Sequence, residues 1–444
     1  MIKKIYVYPL SIIFGVLFYY ILFSSNLITP DYSFGNPQNC VEIVNYNIGD
    51  TLRDYKYPFS CDQDFYYSGF ENFTEVFEET YNYQARPLYI LGGYVMYVTV
   101  SSVESLLNID FKFTTQLAIF LYQLVIINSI TAILFNSFKE KFKLRMFDYI
   151  SLLILVMINP IYKWGLFVPS HQTATLLLIA FFIYFSSKKD MEVNERIAFL
   201  FGLFFLFHRS FLVSYLALVL FKNIKQIFKG KTYIRNGYLF IIFLLPNLIY
   251  EFFIRFILNR STYDANTEYW GQFVWLYDFI RGKVRYESEW HCVTIPENFY
   301  CYFKDFRQMI LYIAFPLMLV VLFFAADYMV NKKNKYIYLQ NILFITVCLF
   351  LFWSLIGWYP PVRFNFYSIG HMVTLLLILI FISQATVYEK SIILISSIFA
   401  YILIPHWNHP EINLGINIFG TYSLLGTFIY LILKTYLKSN KTKT

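Results

Sequence analysis

The chain is 444 residues long; 58% of its residues are apolar and only 14% are charged. This balance excludes a cytosolic enzyme, a disordered protein and a coiled coil, because each of those classes carries more charged or polar sequence. One membrane-spanning helix takes roughly 20 apolar residues, so the apolar content has room for about a dozen spans. The net charge of +8 is also found in nucleic-acid-binding proteins, so the distribution of charge has to decide between the two classes.

Ten apolar runs suit full transmembrane helices. They cover residues 5–23, 115–135, 147–162, 173–186, 237–253, 309–329, 338–358, 368–387, 391–405 and 416–433. The first run follows two lysines, but no small-residue cleavage pattern comes after it, so we expect a retained helix and not a signal peptide. The pattern predicts an all-α, polytopic integral membrane protein.

A further apolar stretch is interrupted at its centre by His208 and Arg209. If residues 196–221 formed one span, the lysine-rich segment that follows them would face the outer side, against the positive-inside rule. We therefore expect two short helices, 196–207 and 211–221. They would form a hairpin that meets near the outer leaflet and returns the chain to the cytoplasm.

The same rule applies to residues 88–107, which are apolar but contain Gly92, Gly93 and Glu104. A span here would turn the basic segment 139–145 outward. We expect a re-entrant or interfacial helix inside the first outer loop, which runs from 24 to 114.

With these choices, most of the 36 Lys and Arg residues fall in seven predicted inner segments. Both termini are then cytoplasmic, and we expect a multi-pass protein of the bacterial inner (plasma) membrane. Because the basic residues are dispersed and do not share one face, no nucleic-acid partner is expected. The second long outer loop runs from 255 to 307. The chain then divides into a first module, 1–235, and a C-terminal module, 236–444.

Four of the five cysteines lie in the two outer loops: Cys40, Cys61, Cys292 and Cys301. Disulfides persist on the oxidising side of a membrane, so this placement agrees with the predicted topology. Four cysteines allow three pairings. Proximity in sequence favours Cys40 with Cys61 and Cys292 with Cys301.

The first outer loop contains an amphipathic segment between positions 70 and 81, with aromatic residues on one face and glutamates on the other. Such a segment is typical of a helix lying flat on the bilayer surface. It ends at Arg86, because Pro87 stops the pattern. Asp62 and Asp64 precede the segment, and we take them as functional candidates.

Titratable side chains gather toward the predicted outer half, where charges near a membrane are functional candidates by default. Glu251 and Arg255 stand one helical turn apart at the outer end of a span, which suits either an intramembrane ion pair or a functional site. His171 follows a Pro-Ser pair and is a candidate metal ligand. Arg363 follows two prolines in a loop and suits a lipid phosphate or a sugar.

Several segments of the first half resemble the GT-C superfamily, whose members are polytopic glycosyltransferases that use polyprenyl-phosphate-linked sugars. The segments are Cys-Asp-Gln-Asp-Phe-Tyr at 61–66, Ala-Arg-Pro-Leu-Tyr at 85–89, Phe-Gly-Leu at 201–203 and His-Arg-Ser at 208–210. The resemblance covers residues 5–235. It implies a GT-C-like fold with interfacial helices in the first outer loop.

The resemblance also implies roles. Asp64, or Asp62 in its place, matches the loop acid and would be the catalytic base. Arg86 matches the family's Arg-Pro-Leu element, while His208 and Arg209, together with Gly202, match the small-residue, cation-containing tip of its short helical hairpin. Arg86, His208 and Arg209 would bind the donor phosphate, since a guanidinium suits phosphate geometry. We add Arg255 and Arg363 as further substrate or phosphate ligands.

Two positions depart from the family pattern. Ser210 stands where a proline usually follows the hairpin cation. Ser-His-Gln at 170–172 stands where an acid often begins the fourth span. The second departure leaves open whether a divalent metal is a cofactor, with His171 as its candidate ligand.

We therefore expect an enzyme that moves a hexose or pentose from a polyprenyl-phosphate donor to a glycan or lipid-linked acceptor on the extracytoplasmic face, in cell-envelope polysaccharide biosynthesis. An O-antigen-type polymerase or ligase is the first alternative, because it is also polytopic and has two long outer loops with arginines. A transporter is the second. The single broken helix pair at 196–221 disfavours it, since transporters often show paired repeats with broken helices.

Overall fold

The computed structural model describes residues 7–24, 63–78, 84, 86–109, 114–142, 144–158, 166, 174–188, 192–209, 211–223 and 230–260, with a few residues between 390 and 433. Helix makes up 87% of the described residues, which contain no strand. The predicted all-α class is therefore confirmed for this part of the chain.

Nine α-helices lie in the described ranges. They are α1 (Val7–Ser24), α2 (Gln63–Glu71), α3 (Pro87–Leu107), α4 (Thr114–Phe142), α5 (Met146–Met157), α6 (Ala174–Ser187), α7 (Glu195–Phe205), α8 (Phe211–Asn223) and α9 (Gly230–Phe252). A 3-10 helix (Phe73–Phe77) follows α2, and a π-helical turn (Phe253–Ile257) continues α9.

Among the described residues, three stretches are long and apolar enough to cross a bilayer. They are Pro87–Leu107, Thr114–Ser137 and Tyr233–Ile257. The last two coincide with predicted spans. The predicted spans at 309–329, 338–358 and 368–387 lie outside the described residues, so the number of ten stays a prediction.

The stretch expected to break at His208 and Arg209 forms two helices, α7 of 11 residues and α8 of 13 residues. Each is shorter than the roughly 20 residues that a full span needs. Asn194 caps α7 by accepting a hydrogen bond from the Ile197 backbone N–H at 3.1 Å. α7 packs against α9, and α8 packs against α6 and α7. The predicted two-helix break is confirmed, while its depth in the bilayer stays a prediction.

A helix was expected at 88–107, and α3 is that helix; it runs unbroken through both glycines that interrupt the apolar pattern. A Cβ at Gly92 would lie 2.4 Å from the Tyr122 hydroxyl, and one at Gly93 would lie 2.3 Å from the Phe70 ring. The glycines let these two aromatic side chains pack directly on the α3 backbone. This contact offsets the weak helix propensity of glycine. The interfacial position of α3 stays a prediction.

The prediction of a single surface helix between 70 and 81 is wrong for the described part of that segment. α2 ends at Glu71, and the chain tightens into the 3-10 helix after Asn72. The Asn72 side chain accepts hydrogen bonds from the Thr74 backbone N–H at 3.3 Å and from its hydroxyl at 2.7 Å. Such local bonds compete with a continuing α-helix. Phe70 is fully buried, so it packs into the protein and does not face a bilayer surface.

α3 and α4 form an antiparallel pair. The Tyr122 hydroxyl donates to the Tyr89 carbonyl at 3.0 Å, and Gln123 Nε2 donates to the Tyr89 hydroxyl at 3.0 Å. Near the connection between the helices, the Thr114 hydroxyl donates to Glu104. The first turn of α3 therefore lies about 13 Å along α4 from its start, at 1.5 Å per residue.

Three ion pairs join distant segments of the described part of the chain, and they fall into two groups. In one group Arg235 pairs with Glu192 at 2.9 Å and Lys390 pairs with buried Asp148 at 2.8 Å. In the other group the Arg260 guanidinium contacts Glu78 at 2.8 Å and donates to the Phe77 carbonyl at 3.0 Å. Each of these contacts joins segments that the charge pattern assigns to the same side. The compartment that each group faces stays a prediction.

Candidate functional site

The tip of the hairpin formed by α7 and α8, residues 206–209, contacts the first turn of α3. Pro87 occupies the first helical position, where its missing N–H costs no hydrogen bond. The Leu88 N–H donates to the Leu206 carbonyl at 3.3 Å. This bond joins a donor and an acceptor that helix ends leave without intrahelical partners. The rings of Tyr89 and Phe207 pack edge to face at 5.4 Å. Arg86, which precedes α3, is thereby brought to the hairpin tip.

Gly202 brings the hairpin onto α9. A Cβ at this position would lie 2.1 Å from the carbonyl oxygen of Phe243 and 3.1 Å from Cδ of Pro246. Only glycine permits so close an approach of the two backbones. The resemblance assigned Gly202 to the tip of the hairpin; in the structure this residue lies inside α7 and serves the packing of α7 on α9.

The close approach of α7 and α9 brings the Arg209 side chain, in the turn after α7, into contact with α9. Its Nη1 donates to Asn247 Oδ1 at 3.1 Å, and its guanidinium carbon lies 4.7 Å from the centre of the Phe205 ring. An aromatic face under the guanidinium adds a cation–π attraction. The guanidinium is thus held both at its edge and from one face.

A line of polar side chains continues along α9 at four-residue spacing. Asn247 Nδ2 donates to Glu251 Oε1 at 2.9 Å, and Glu251 Oε2 lies 4.0 Å from Arg255 Nη2. The expected pairing of Glu251 with Arg255 is present. However, the shorter contact of this carboxylate is with the Asn247 amide, and the Arg255 side chain is half exposed.

Tyr250 ties the same end of α9 to the first loop. Its hydroxyl donates to the Gln84 carbonyl at 2.8 Å. Two residues after Gln84, Arg86 meets the hairpin tip. The chain is therefore held on both sides of this arginine: Gln84 contacts α9, and Leu88 contacts the end of α7.

His208 is buried in the turn between α7 and α8, outside the three candidate spans. Burial, and to a smaller extent the positive charge of nearby Arg86, lower the pKa of its imidazole to about 3. His208 is therefore neutral at physiological pH. It can offer a hydrogen bond. In the arginine cluster, formed by Arg86, His208 and Arg209, the positive charge therefore lies on the two arginines.

The remaining predicted residues fall into two groups. Asp64 lies in the first turn of α2, and two residues later the Tyr66 ring packs on Tyr89 at 5.6 Å. The helix that carries Asp64 is therefore anchored to the same α3 turn that follows Arg86. Outside the described residues lie Asp62, His171, Arg363, Cys40, Cys61, Cys292 and Cys301.

Sequence reasoning missed Asn247, Tyr250 and Gln84. Asn247 had a usable signal: it is an uncharged polar residue inside an apolar run, four positions before Glu251, and polar groups inside spans are candidate functional residues. Within the described ranges, no group of three or more His, Cys, Asp or Glu side chains is placed to hold a metal ion. The metal question raised by His171 stays open.

Comparison of the chain with protein-family models, with curated proteins and with solved structures finds no match. The GT-C resemblance therefore depends on the short sequence segments alone.

Proposed function

We propose that the protein is a GT-C-like membrane glycosyltransferase that moves a sugar from a polyprenyl-phosphate donor to a glycan or lipid-linked acceptor. One observation carries the proposal. Arg86 and the His208–Arg209 pair, more than 120 positions apart in sequence, meet where the start of α3 contacts the hairpin tip. These are the positions to which the resemblance assigns phosphate binding.

The reaction needs a cation where negative charge grows. The acceptor hydroxyl oxygen forms a bond to the anomeric carbon, and the bond from that carbon to the phosphate oxygen breaks. The electron pair leaves with the polyprenyl phosphate, which gains one negative charge. The guanidinium groups of Arg86 and Arg209 stabilise that charge more strongly than they stabilise the donor, and this difference lowers the barrier.

The acceptor's proton has to leave at the same time. In the proposal a carboxylate takes it as general base. Asp64 is the first candidate, because α2 packs against α3 next to the arginine cluster, and Asp62 is the second. The neutral His208 imidazole suits hydrogen bonding to a phosphate oxygen or to the acceptor.

Isolated membranes supplied with a polyprenyl-phosphate sugar and an acceptor extract test the proposal. We expect Arg86→Lys to lower transfer by about 10- to 100-fold, since a bidentate guanidinium contact is lost. The double variant Asp62→Asn, Asp64→Asn should abolish transfer. Arg235→Gln and Glu192→Gln are matched controls at the opposite end of the helices and should retain activity. Unchanged transfer in the double aspartate variant would remove the proposed base.

Two further experiments separate the proposal from its two alternatives. Loss of long polysaccharide chains from a deletion strain would favour a polymerase or ligase, whereas loss of a single side-branch sugar would favour the proposal. Substrate uptake by proteoliposomes that is unchanged by substitution of Asp64 but abolished by Glu251→Gln would favour a transporter.

A further inference from the structure

One stretch of α9 holds both of the segments that carry an arginine of the cluster. The Tyr250 hydroxyl donates to the Gln84 carbonyl at 2.8 Å, two positions before Arg86 in the chain. Arg209 donates to Asn247 at 3.1 Å. Asn247 and Tyr250 are three residues apart, so their side chains lie on the same side of α9, about one helical turn apart. The two arginine-bearing segments are therefore attached to neighbouring points of one helix.

Electrostatic contacts agree with this placement. The positive charge of Arg209 is close enough to act on the Tyr250 hydroxyl. The positive charge of Arg86 acts on His208, which precedes Arg209 in the hairpin tip. Tyr250 therefore lies beside one arginine while it bonds to the chain next to the other.

The backbone at Gln84 is a firm point of attachment. The Gln84 side chain is buried, and its Nε2 donates to the Glu78 carbonyl at 3.3 Å. The Tyr250 bond ends on a backbone atom, so it holds the chain itself. Two residues span at most about 7 Å, so a shift of the chain at Gln84 also moves Arg86.

We infer that Tyr250 is a positioning residue, which holds the Arg86 segment where Arg86 and Arg209 can contact the same phosphate group. The inference rests on the proposed function, because it takes the phosphate of a prenyl-lipid donor as the ligand. It requires a fixed position of the chain and is independent of any other partner of the two arginines. It adds α9 to a site that the sequence motifs place only in the first loop and the hairpin.

Tyr250→Phe tests the inference, because it removes the hydroxyl and keeps the ring. Binding is measured on the purified full-length chain in detergent with three probes: a long-chain prenyl phosphate, the matching prenol without phosphate, and inorganic phosphate. We expect wild type to bind prenyl phosphate more tightly than prenol. Tyr250→Phe should weaken binding of prenyl phosphate about three- to tenfold, the range expected for one hydrogen bond. Its affinity for prenol should not change, whereas general damage to the fold would weaken both lipids.

A double-mutant cycle with Arg86→Gln separates a positioning role from a purely structural one. If Tyr250 acts through Arg86, adding Tyr250→Phe to Arg86→Gln should change prenyl-phosphate affinity by less than about twofold, because the guanidinium that it positions is already absent. Independent effects would add. Tyr238→Phe is the matched control, since Tyr238 lies on the same helix and its exposed side chain makes no hydrogen bond among the described residues. This variant should bind all three probes as wild type does.

The possible outcomes distinguish this inference from the proposed function. If wild type binds prenyl phosphate and prenol equally, the proposed function is excluded and the inference with it. If wild type prefers prenyl phosphate but Tyr250→Phe binds it equally well, or if the effects of Tyr250→Phe and Arg86→Gln add, the inference is overturned and the proposed function stands. If inorganic phosphate binds as tightly as prenyl phosphate and Tyr250→Phe weakens its binding, the positioning role stands and the lipid is excluded as the source of the phosphate.

Discussion

Replacing Gly202 with alanine tests whether the contact between α7 and α9 builds the site. The added Cβ would lie 2.1 Å from the carbonyl oxygen of Phe243, 3.0 Å from its carbonyl carbon and 3.1 Å from Cδ of Pro246. Carbon–oxygen contacts normally lie at about 3.3–3.6 Å. The two helices therefore have to separate by roughly 1 Å, because the opposing atoms are backbone and cannot rotate away. Overpacking of this kind costs about 1–3 kcal/mol of stability.

The functional loss should exceed the loss of stability. Arg209 follows α7 and Asn247 lies on α9, so a separation of the helices stretches their 3.1 Å hydrogen bond. A misplacement of about 1 Å in a catalytic arrangement can lower the rate about 100-fold. We expect Gly202→Ala to unfold at a lower temperature in detergent, and to lose most sugar transfer at temperatures where it remains folded.

Gly237→Ala is the matched control. Gly237 belongs to the same helix α9, and nothing lies within 4 Å of an added Cβ. This substitution should raise stability by up to about 1 kcal/mol through helix propensity alone. The reasoning would be refuted if Gly202→Ala unfolded at the wild-type temperature and transferred sugar at the wild-type rate.

Three further predictions concern buried polar groups, each measured by unfolding in detergent. Asp148→Asn should cost about 3–5 kcal/mol, because it breaks the buried pair with Lys390; an unchanged midpoint would contradict this. The depressed pKa of His208 means that the unfolded chain binds its proton first, near pH 6.5. Stability should therefore fall below that pH by up to about 1.4 kcal/mol per unit. His208→Gln should remove this part of the slope. Tyr89→Phe deletes the hydroxyl that accepts from Gln123 and should cost about 1–3 kcal/mol, whereas retention of full stability would show that this bond contributes nothing.

The sequence predicted the hairpin correctly because the signal was strong and local. Two titratable residues interrupt an apolar run, and the lysines after it predict the side to which the chain returns. A helix was also predicted at 88–107, but the sequence did not explain Gly92 and Gly93, which only interrupt its apolar pattern. Their role depends on Tyr122 and Phe70, which approach α3 from other helices. A local pattern does not contain that tertiary contact.

In the candidate site, too, the residues with a local signal were found and those that depend on tertiary contacts were missed. Arg86, His208 and Arg209 were found because charge in or near an apolar segment is conspicuous. Asn247 was missed because an amide carries no charge and because its partner lies 38 residues earlier in the chain. The division expected between residues 235 and 236 falls inside α9, which continues unbroken from Gly230 to Phe252 and packs on α7.

The attachment of Arg260 to the 3-10 helix has a consequence for the ionic conditions of any assay. Both partners of the Arg260–Glu78 pair are partly exposed, with 36% and 49% of their side-chain surface accessible, so dissolved salt screens their attraction. Raising the ionic strength should loosen this fastening between two distant stretches of the chain while the helices stay folded. Activity assays at low and high salt would then compare forms of the protein in which the 3-10 helix is held to Arg260 to different degrees.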